Sequence, residues 1–175
     1  MEAEFLLVSD LHVDEYDRFS KIISHPEYGP INSRLFWCLD IFDQIREYGA
    51  KTKCKTLLIG GDVFDKRGSL SVRTYNEVFL KLLELVNDDW EVFSVVGNHD
   101  QALKGTDIHA LQCFPISLAQ TNHLWVSRQG FTVGGVAFHE RSGEFFHALK
   151  EVSKGKPDVY LIHQGLHGAK IDRKS

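Results

Sequence analysis

Side chains of the types that bind metal ions follow each of four short apolar runs. In chain order they are Asp10 and His12, Asp62 and Asp65, then Asn98, His99 and Asp100, and finally His163. Mixed sets of oxygen and nitrogen ligands suit Mn, Fe, Zn or Ni better than Ca or Mg. Two such cations, held about 3.5–4 Å apart, can activate a hydroxide and clamp a phosphoryl group. The residue types therefore indicate metal-dependent chemistry at a phosphate.

The spacing within each group agrees with that interpretation. Asp10 and His12 are two residues apart, which places both side chains on one side of an extended segment. The carboxylate of Asp62 has two oxygens and can bridge two cations. Taken singly, a polar residue after a strand is usually a helix cap or a turn residue. Four such placements in one chain favour a shared site.

Strand-like and helix-like patterns alternate through the first hundred residues. Short apolar runs predict strands over 5–8, 56–59 and 92–96, and apolar stripes with helical spacing predict helices over 34–48 and 70–87. This β-α-β-α-β order predicts a largely parallel sheet covered by helices. Sites in such sheets lie beyond the carboxyl ends of the strands, so we expect the four groups to converge on one crevice.

The second half of the chain predicts shorter elements. They are strands at 125–126, 131–133, 136–138 and 158–162, and a helix over 143–153. Gly134 and Gly135 lie between two strand-like runs and predict the turn of a hairpin. Gly49 predicts the end of the first long helix, and the polar, irregular stretch 13–33 predicts a long surface loop. We predict one α/β domain over residues 1–175, a sandwich of mixed sheets flanked by helices.

Composition and charge narrow the class of protein. The chain has 175 residues, of which 43% are hydrophobic and 25% charged, as in ordinary soluble globular proteins. A net charge of −4 argues against binding of nucleic acid through a large positively charged surface. It does not exclude a local patch of Lys and Arg residues. The sequence has neither an apolar run of roughly 20 residues nor a signal peptide pattern. Three widely spaced cysteines without CxxC predict reduced thiols in a cytoplasmic protein.

The polar groups, read together with their neighbours, resemble the calcineurin-like metallophosphoesterase superfamily. The matching segments are Asp10-Leu11-His12, Gly61-Asp62-Val63-Phe64-Asp65 and Gly97-Asn98-His99-Asp100. They are similar to the D-x-H, G-D-x-x-D and G-N-H-D/E motifs of that superfamily, in the same order. His163, in Leu161-Ile162-His163-Gln164-Gly165, resembles its next histidine motif. The match covers residues 4–168 and implies the metallophosphoesterase fold.

The resemblance implies two divalent metal ions, with Mn the first expectation and Fe, Zn, Ni or Mg as alternatives. It assigns five ligands, residue by residue. Asp10 and His12 bind the first metal, Asp62 bridges both metals, and Asn98 and His163 bind the second.

The resemblance also assigns the acid–base residues beside the metals. His99 is not a ligand; it faces the substrate and protonates the leaving oxygen or stabilises the charged transition state. Asp100 orients His99. Asp65 is implied only as a supporting or structural residue near the ligands. The candidates for substrate contacts are His139, which follows a predicted strand, and Arg67, which flanks the metal-site loop of Asp62 and Asp65.

One departure from the family pattern concerns its last motif, G-H-x-H, which completes both metal shells. This sequence has no G-H-x-H, and His167, in Gly165-Leu166-His167-Gly168, is the remaining candidate for a replacement ligand. The chain is then expected to be a fragment, a split subunit or a minimal variant. Water or a partner chain would supply the missing ligands.

Within the superfamily, the motifs look most like the DNA-repair exonuclease branch. That branch contains nuclease subunits that pair with an SMC-like ATPase, and phage nucleases. The implied function is a hydrolase, a phosphodiesterase or exonuclease on DNA that uses a hydroxide activated by two metals. A small-molecule phosphodiesterase, a phosphomonoesterase and a scaffold without catalysis remain alternatives. A homodimer is also possible, and substrate choice is expected to depend on loops such as 13–33 and 139–147.

Overall fold

The structure is a computed structural model, and it describes residues 2–103 and 108–165. In chain order its elements are β1 (Leu6–Val8), β2 (Ile22–His25), β3 (Gly29–Asn32), α1 (Ser33–Thr52), β4 (Thr56–Ile59), α2 (Val72–Asn87), β5 (Glu91–Val95), β6 (Ser117–Ala119), β7 (Asn122–Val126), β8 (Thr132–Val136), α3 (Ser142–Ser153) and β9 (Val159–Ile162). None of the helices in these ranges is long and apolar enough to cross a bilayer.

The first sheet is parallel, as the alternation of strands and helices predicts. Its strand order is β1-β4-β5-β6, and all three pairings are parallel. Every residue of β4 is buried, which explains why residues 56–59 form a continuous apolar run rather than an alternating one. The carboxyl ends of three neighbouring strands, β1, β4 and β5, therefore lie along one edge of the sheet.

Helices α1 and α2 cover one face of this sheet. The predicted stripe of α1 is confirmed, since Leu35, Leu39, Phe42 and Ile45 are all buried. The predicted helix end at Gly49 is wrong, because α1 continues to Thr52. A Cβ at Gly49 would lie 2.3 Å from the Trp90 ring, so the glycine lets that ring pack against the helix.

Residues 13–33 are not one irregular loop, as the sequence suggests. They contain the antiparallel hairpin β2–β3, in which Ile23 pairs with Ile31. Ile31 is completely buried and Ile23 packs against the same core, so the hairpin is attached to the first sheet and its helices. From α2, the Arg73 guanidinium donates hydrogen bonds to the Pro30 carbonyl at 2.6 Å and to the Tyr28 carbonyl at 2.9 Å. These contacts, remote in sequence, order the stretch.

The second sheet has the strand order β7-β8-β9, antiparallel between β7 and β8 and parallel between β8 and β9. The predicted turn at Gly134 and Gly135 is wrong, because both glycines lie inside β8. A Cβ would lie 2.4 Å from the Val152 side chain at Gly134 and 2.5 Å from the Trp125 ring at Gly135. These glycines serve close packing on both faces of the strand, and the hairpin turn lies at 127–130.

The two sheets pack face to face, and α3 covers the outer face of the second. Phe93 on β5 stacks on Trp125 on β7, with 5.2 Å between the ring centroids. Phe145 on α3 is buried against Val136 on β8. The predicted α/β sandwich of mixed sheets flanked by helices is thus confirmed, and it sets the end of β9 beside the ends of β1, β4 and β5.

Candidate metal centre

Asp62 lies at the middle of the converging strand ends. Its oxygen Oδ2 is 3.8 Å from His12 Nε2, which follows β1, and 3.4 Å from His163 Nε2, which follows β9. Its other oxygen, Oδ1, accepts a hydrogen bond of 2.7 Å from the backbone amide of His99. Burial by itself raises the pKa of Asp62, but the bonds from His163 and His99 outweigh it and lower the pKa below its usual value. Asp62 is therefore a buried carboxylate anion between two imidazoles.

His163 is oriented by its backbone neighbour. Its Nδ1 lies 2.7 Å from the Gly60 carbonyl oxygen, which can only accept a hydrogen bond, so Nδ1 carries the proton. Nε2 then lies toward the centre, 3.0 Å from Asn98 Oδ1. Burial lowers the pKa of His163, but the bonds to Asp62 and Gly60 overcome this and raise it to about 9. An imidazole fixed in this way presents one nitrogen to a cation.

Asp10 and His12 complete the side of the centre that faces solvent. His12 Nε2 lies 3.9 Å from Asp10 Oδ1. The hydroxyl of Ser9 donates a hydrogen bond to Asp10 Oδ2. On its opposite edge, His12 Nδ1 lies 3.3 Å from Asp65 Oδ1. Both ring nitrogens of His12 are thus next to carboxylate oxygens.

Three of these residues have left-handed backbone, which non-glycine residues rarely adopt. The φ angles are 55° at Asp10, 46° at His12 and 52° at Asp62. Hydrogen bonds between the two loops hold this conformation, from the Asp10 amide to the Gly61 carbonyl at 3.1 Å and from the His12 amide to the Asp62 carbonyl at 3.0 Å. Strained backbone of this kind is concentrated at functional sites, where surrounding contacts maintain it.

Gly97 allows the third loop to approach the second. A Cβ at Gly97 would lie 2.2 Å from both the amide nitrogen and Oδ1 of Asp62, a distance that no side chain can tolerate. The glycine that precedes Asn98 and His99 in the sequence is therefore required by the close contact of two loops rather than by its own turn.

His99 is positioned by Asp65. Its Nδ1 lies 2.5 Å from the Asp65 carbonyl oxygen, and its ring meets the His12 ring edge-on, with 4.8 Å between centroids. The sequence pattern suggested only a supporting role for Asp65. The structure places this residue between two histidines, with its carbonyl on one and its carboxylate on the other.

Asp100 has different partners from those that the resemblance implies. It is buried, and its oxygens accept hydrogen bonds from the Phe64 amide at 3.1 Å and the Gly97 amide at 2.9 Å. Burial raises its pKa to about 6. Within the described ranges its bonds connect the loops after β4 and β5, and the contact to the His99 ring comes from Asp65 instead.

The donor atoms fit divalent transition metals. Ligand atoms of His12, Asp62 and His99 lie within 4.8 Å of one another, and so do those of Asp10, Asp62 and His163. The two groups share Asp62, the residue expected to bridge. The amide oxygen of Asn98 adds a further donor beside His163. Carboxylate, amide and imidazole donors together are the set that Mn, Fe, Zn and Ni favour.

Comparison with known proteins identifies the family. The family model described as calcineurin-like phosphoesterase matches residues 3–174. The chain belongs to this family. No match was found among curated proteins. Among solved structures, the chain is similar to the crystal structure of the Pseudomonas putida nuclease MPE, with 17% identity, 78% of this chain covered and a TM-score of 0.43. The chain spans 55% of the length of that protein.

Two of the remaining candidates in this calcineurin-like phosphoesterase, His139 and Arg67, lie in the described part of the chain. His139 follows β8. Its backbone amide donates a hydrogen bond of 3.2 Å to Oε1 of Gln164, the residue after His163 in the sequence. Arg67 lies in the loop after Asp65 and is exposed, with no hydrogen bond or ion pair to the described part of the chain. His167 lies outside the described residues.

Proposed function

We propose that this chain is a metal-dependent phosphodiesterase that acts on nucleic acid. The observation that carries the proposal is the position of Asp62 Oδ2 between His12 Nε2 and His163 Nε2, at 3.8 and 3.4 Å. A buried carboxylate flanked by two imidazoles can serve two divalent cations as a shared ligand, and two-metal sites clamp the attacking and leaving oxygens of a phosphate ester. Membership of the calcineurin-like phosphoesterase family supports hydrolysis of phosphate esters as the reaction.

In the proposed mechanism, five residues would hold the cations: Asp10, His12, Asp62, Asn98 and His163. When bound, the cations supply an activated water and neutralise charge on the phosphoryl oxygens. The hydrogen bond from His163 Nδ1 to the Gly60 carbonyl fixes the orientation of the ring. The negatively charged Asp62 carboxylate lies close to both His12 and His163.

His99 is the proposed acid. Its Nδ1 proton is bonded to the Asp65 carbonyl, which leaves Nε2 to deliver a proton to the leaving oxygen of the ester. The oxygen that leaves is then a neutral hydroxyl rather than an alkoxide. His99 is well suited to this role because the Asp65 contact restricts rotation of the ring without consuming Nε2.

DNA as the substrate, manganese as the metal, and an SMC-like ATPase as a partner rest on the motif resemblance. A small-molecule phosphodiesterase or phosphomonoesterase would use the same residues. The first experiment therefore compares bis(p-nitrophenyl) phosphate, p-nitrophenyl phosphate and end-labelled single-stranded and double-stranded DNA, each with Mn²⁺ and with EDTA. We expect metal-dependent hydrolysis of the diester and of DNA.

Asp62→Asn is the variant that tests the site, and Asp40→Asn, on α1 and outside the centre, is its matched control. We expect Asp62→Asn to lose binding of the metal pair and all hydrolysis, because the bridging charge is gone. Hydrolysis of the monoester alone would move the assignment to a phosphomonoesterase. Absence of hydrolysis in the wild-type chain with two metals bound would indicate a scaffold.

A further inference from the structure

A cavity of about 700 Å³ lies beside the candidate metal centre. Val96 and Phe138 form part of its wall, and the two are joined by a hydrogen bond of 2.9 Å from the Phe138 amide to the Val96 carbonyl. Val96 is two residues before Asn98. The ring centroid of Phe138 is 6.4 Å from that of His163. The cavity therefore adjoins the half of the centre formed by Asn98 and His163.

The lining of the cavity is rich in hydrogen-bonding groups and nearly neutral. Amide side chains come from Gln101, Gln120 and Asn122. The charged lining residues are two glutamates and one arginine, and Arg141 Nη1 lies 3.5 Å from Glu144 Oε1. A cavity with this balance does not favour a chain of further phosphates. It suits an uncharged group that carries many donors and acceptors.

His139 adds an imidazole to the lining of the cavity. The residue is partly buried, and its backbone amide donates a hydrogen bond of 3.2 Å to Oε1 of Gln164, the neighbour of His163 in the sequence. This bond fixes the stretch after β8 beside the half of the centre formed by Asn98 and His163.

From these observations we infer that the cavity binds the nucleoside attached to the scissile phosphate, an inference that rests on the proposed function. Its volume lies in the range of ligand pockets, roughly 300–1,000 Å³. The amide side chains can pair with the edge of a base, and the rings of Phe138 and His139 offer faces on which a base can stack. A cavity of this volume has room for a nucleoside, which a strand end, an unpaired nucleotide or a small nucleotide diester could present to it.

Gly143, at the start of α3, allows the cavity to be filled without disturbing the core. It lines the cavity, and a Cβ built on it meets nothing within 4 Å. Gly143→Trp would therefore project a large ring into space that is otherwise open. Lys150→Trp, on the same helix and exposed, adds the same side chain outside the lining and is the matched control.

Two diesters with the same leaving group isolate the contribution of the nucleoside. They are thymidine 5′-(p-nitrophenyl phosphate) and bis(p-nitrophenyl) phosphate. We expect wild-type protein and Lys150→Trp to favour the thymidine diester in kcat/KM by about tenfold, the scale of one stacked base. We expect Gly143→Trp to lose most of that ratio. An unchanged ratio in Gly143→Trp, or no preference in the wild type, would overturn the inference.

Binding of free thymidine gives a readout that does not depend on hydrolysis. We expect saturation-transfer NMR signals from thymidine with the metal-free wild type and Lys150→Trp, and their loss with Gly143→Trp. If neither diester is hydrolysed while this pattern holds, the proposed function fails and the nucleoside site stands. If the diesters are hydrolysed but thymidine does not bind, the nucleoside site fails and the proposed function stands.

Discussion

The backbone carbonyl of Asp65 lies 2.5 Å from Nδ1 of His99, so a main-chain group and not a side chain orients this histidine. The Asp65 carboxylate meets another residue, with Oδ1 3.3 Å from His12 Nδ1. The two contacts of Asp65 can therefore be separated by mutation. A side-chain substitution removes the contact to His12 and leaves the carbonyl that holds His99.

Asp65→Ala is expected to weaken metal binding more than it slows turnover. The carboxylate lies beside His12 Nδ1, and losing a carboxylate next to a metal-binding histidine typically costs about 10–100-fold in metal affinity. At saturating Mn²⁺, kcat should stay within a few-fold of the wild type, because the His99 contact remains. Calorimetric titration with Mn²⁺ and kcat measured against metal concentration test this, with the exposed Asp17→Ala as control. A large loss of kcat at saturating metal would show that the carboxylate acts on His99.

His99→Ala is expected to keep the metals and lose catalysis. The residue supplies a proton to the leaving oxygen in the proposed mechanism, and removing a general acid costs about 10²–10⁴-fold. Metal stoichiometry by calorimetry and cleavage of end-labelled DNA, whose alkoxide leaving group needs a proton, are measured on the same preparation. Loss of a metal would assign His99 as a ligand, in agreement with its proximity to His12 and Asp62. Unchanged turnover would remove it from the mechanism.

Metal affinity is expected to rise with pH up to about 9, the pKa of His163 in the metal-free protein. Below that pH the ring is protonated at both nitrogens, and a cation must displace the proton on Nε2. At pH 7, binding of the cation that His163 would hold should then release close to one proton from His163. Titrations in buffers of different ionisation enthalpy measure the number released. His163→Gln should release about one proton fewer, and an equal number in both proteins would contradict the pKa.

Gly97→Ala is expected to disrupt the centre and lower stability. The new Cβ would lie 2.2 Å from two atoms of Asp62, so one loop must move. A cost of about 2 kcal/mol would lower Tm by roughly 4–8 °C for a chain of this size. Thermal unfolding and Mn²⁺ titration test both effects. Gly143→Ala is the control for stability, because its Cβ meets open space and its Tm should not fall.

Much of the fold was accessible from the sequence because burial leaves a local pattern. The stripe of α1 and the apolar run of β4 follow from the faces that these elements bury, and the order of elements predicts the parallel sheet. Residues 22–32 escaped the same reasoning. Their hairpin is ordered by the burial of Ile31 and by hydrogen bonds from Arg73, and neither contact is visible from local periodicity.

Three glycines also occupy their positions because of tertiary contacts rather than local backbone conformation. In the sequence, Gly49 marks a helix end and Gly134 with Gly135 marks a turn, because glycine is common at both. In the structure these glycines admit the rings of Trp90 and Trp125 and the side chain of Val152. Close approach between remote segments, rather than backbone conformation, is the reason that a glycine occupies each position.

The sequence by itself determined which residue types stand at the strand ends, and hence the four groups that converge. The tertiary structure decided their partners. It placed Asp62 between His12 and His163. It also placed the Asp65 carbonyl against the His99 ring, and backbone amides against the Asp100 carboxylate. It also formed a cavity beside the centre, lined by residues from separate stretches of the chain between Val96 and Ala148. Spacing along a chain reports which face a residue occupies, but a contact depends on how twisted sheets and loops from distant segments pack together.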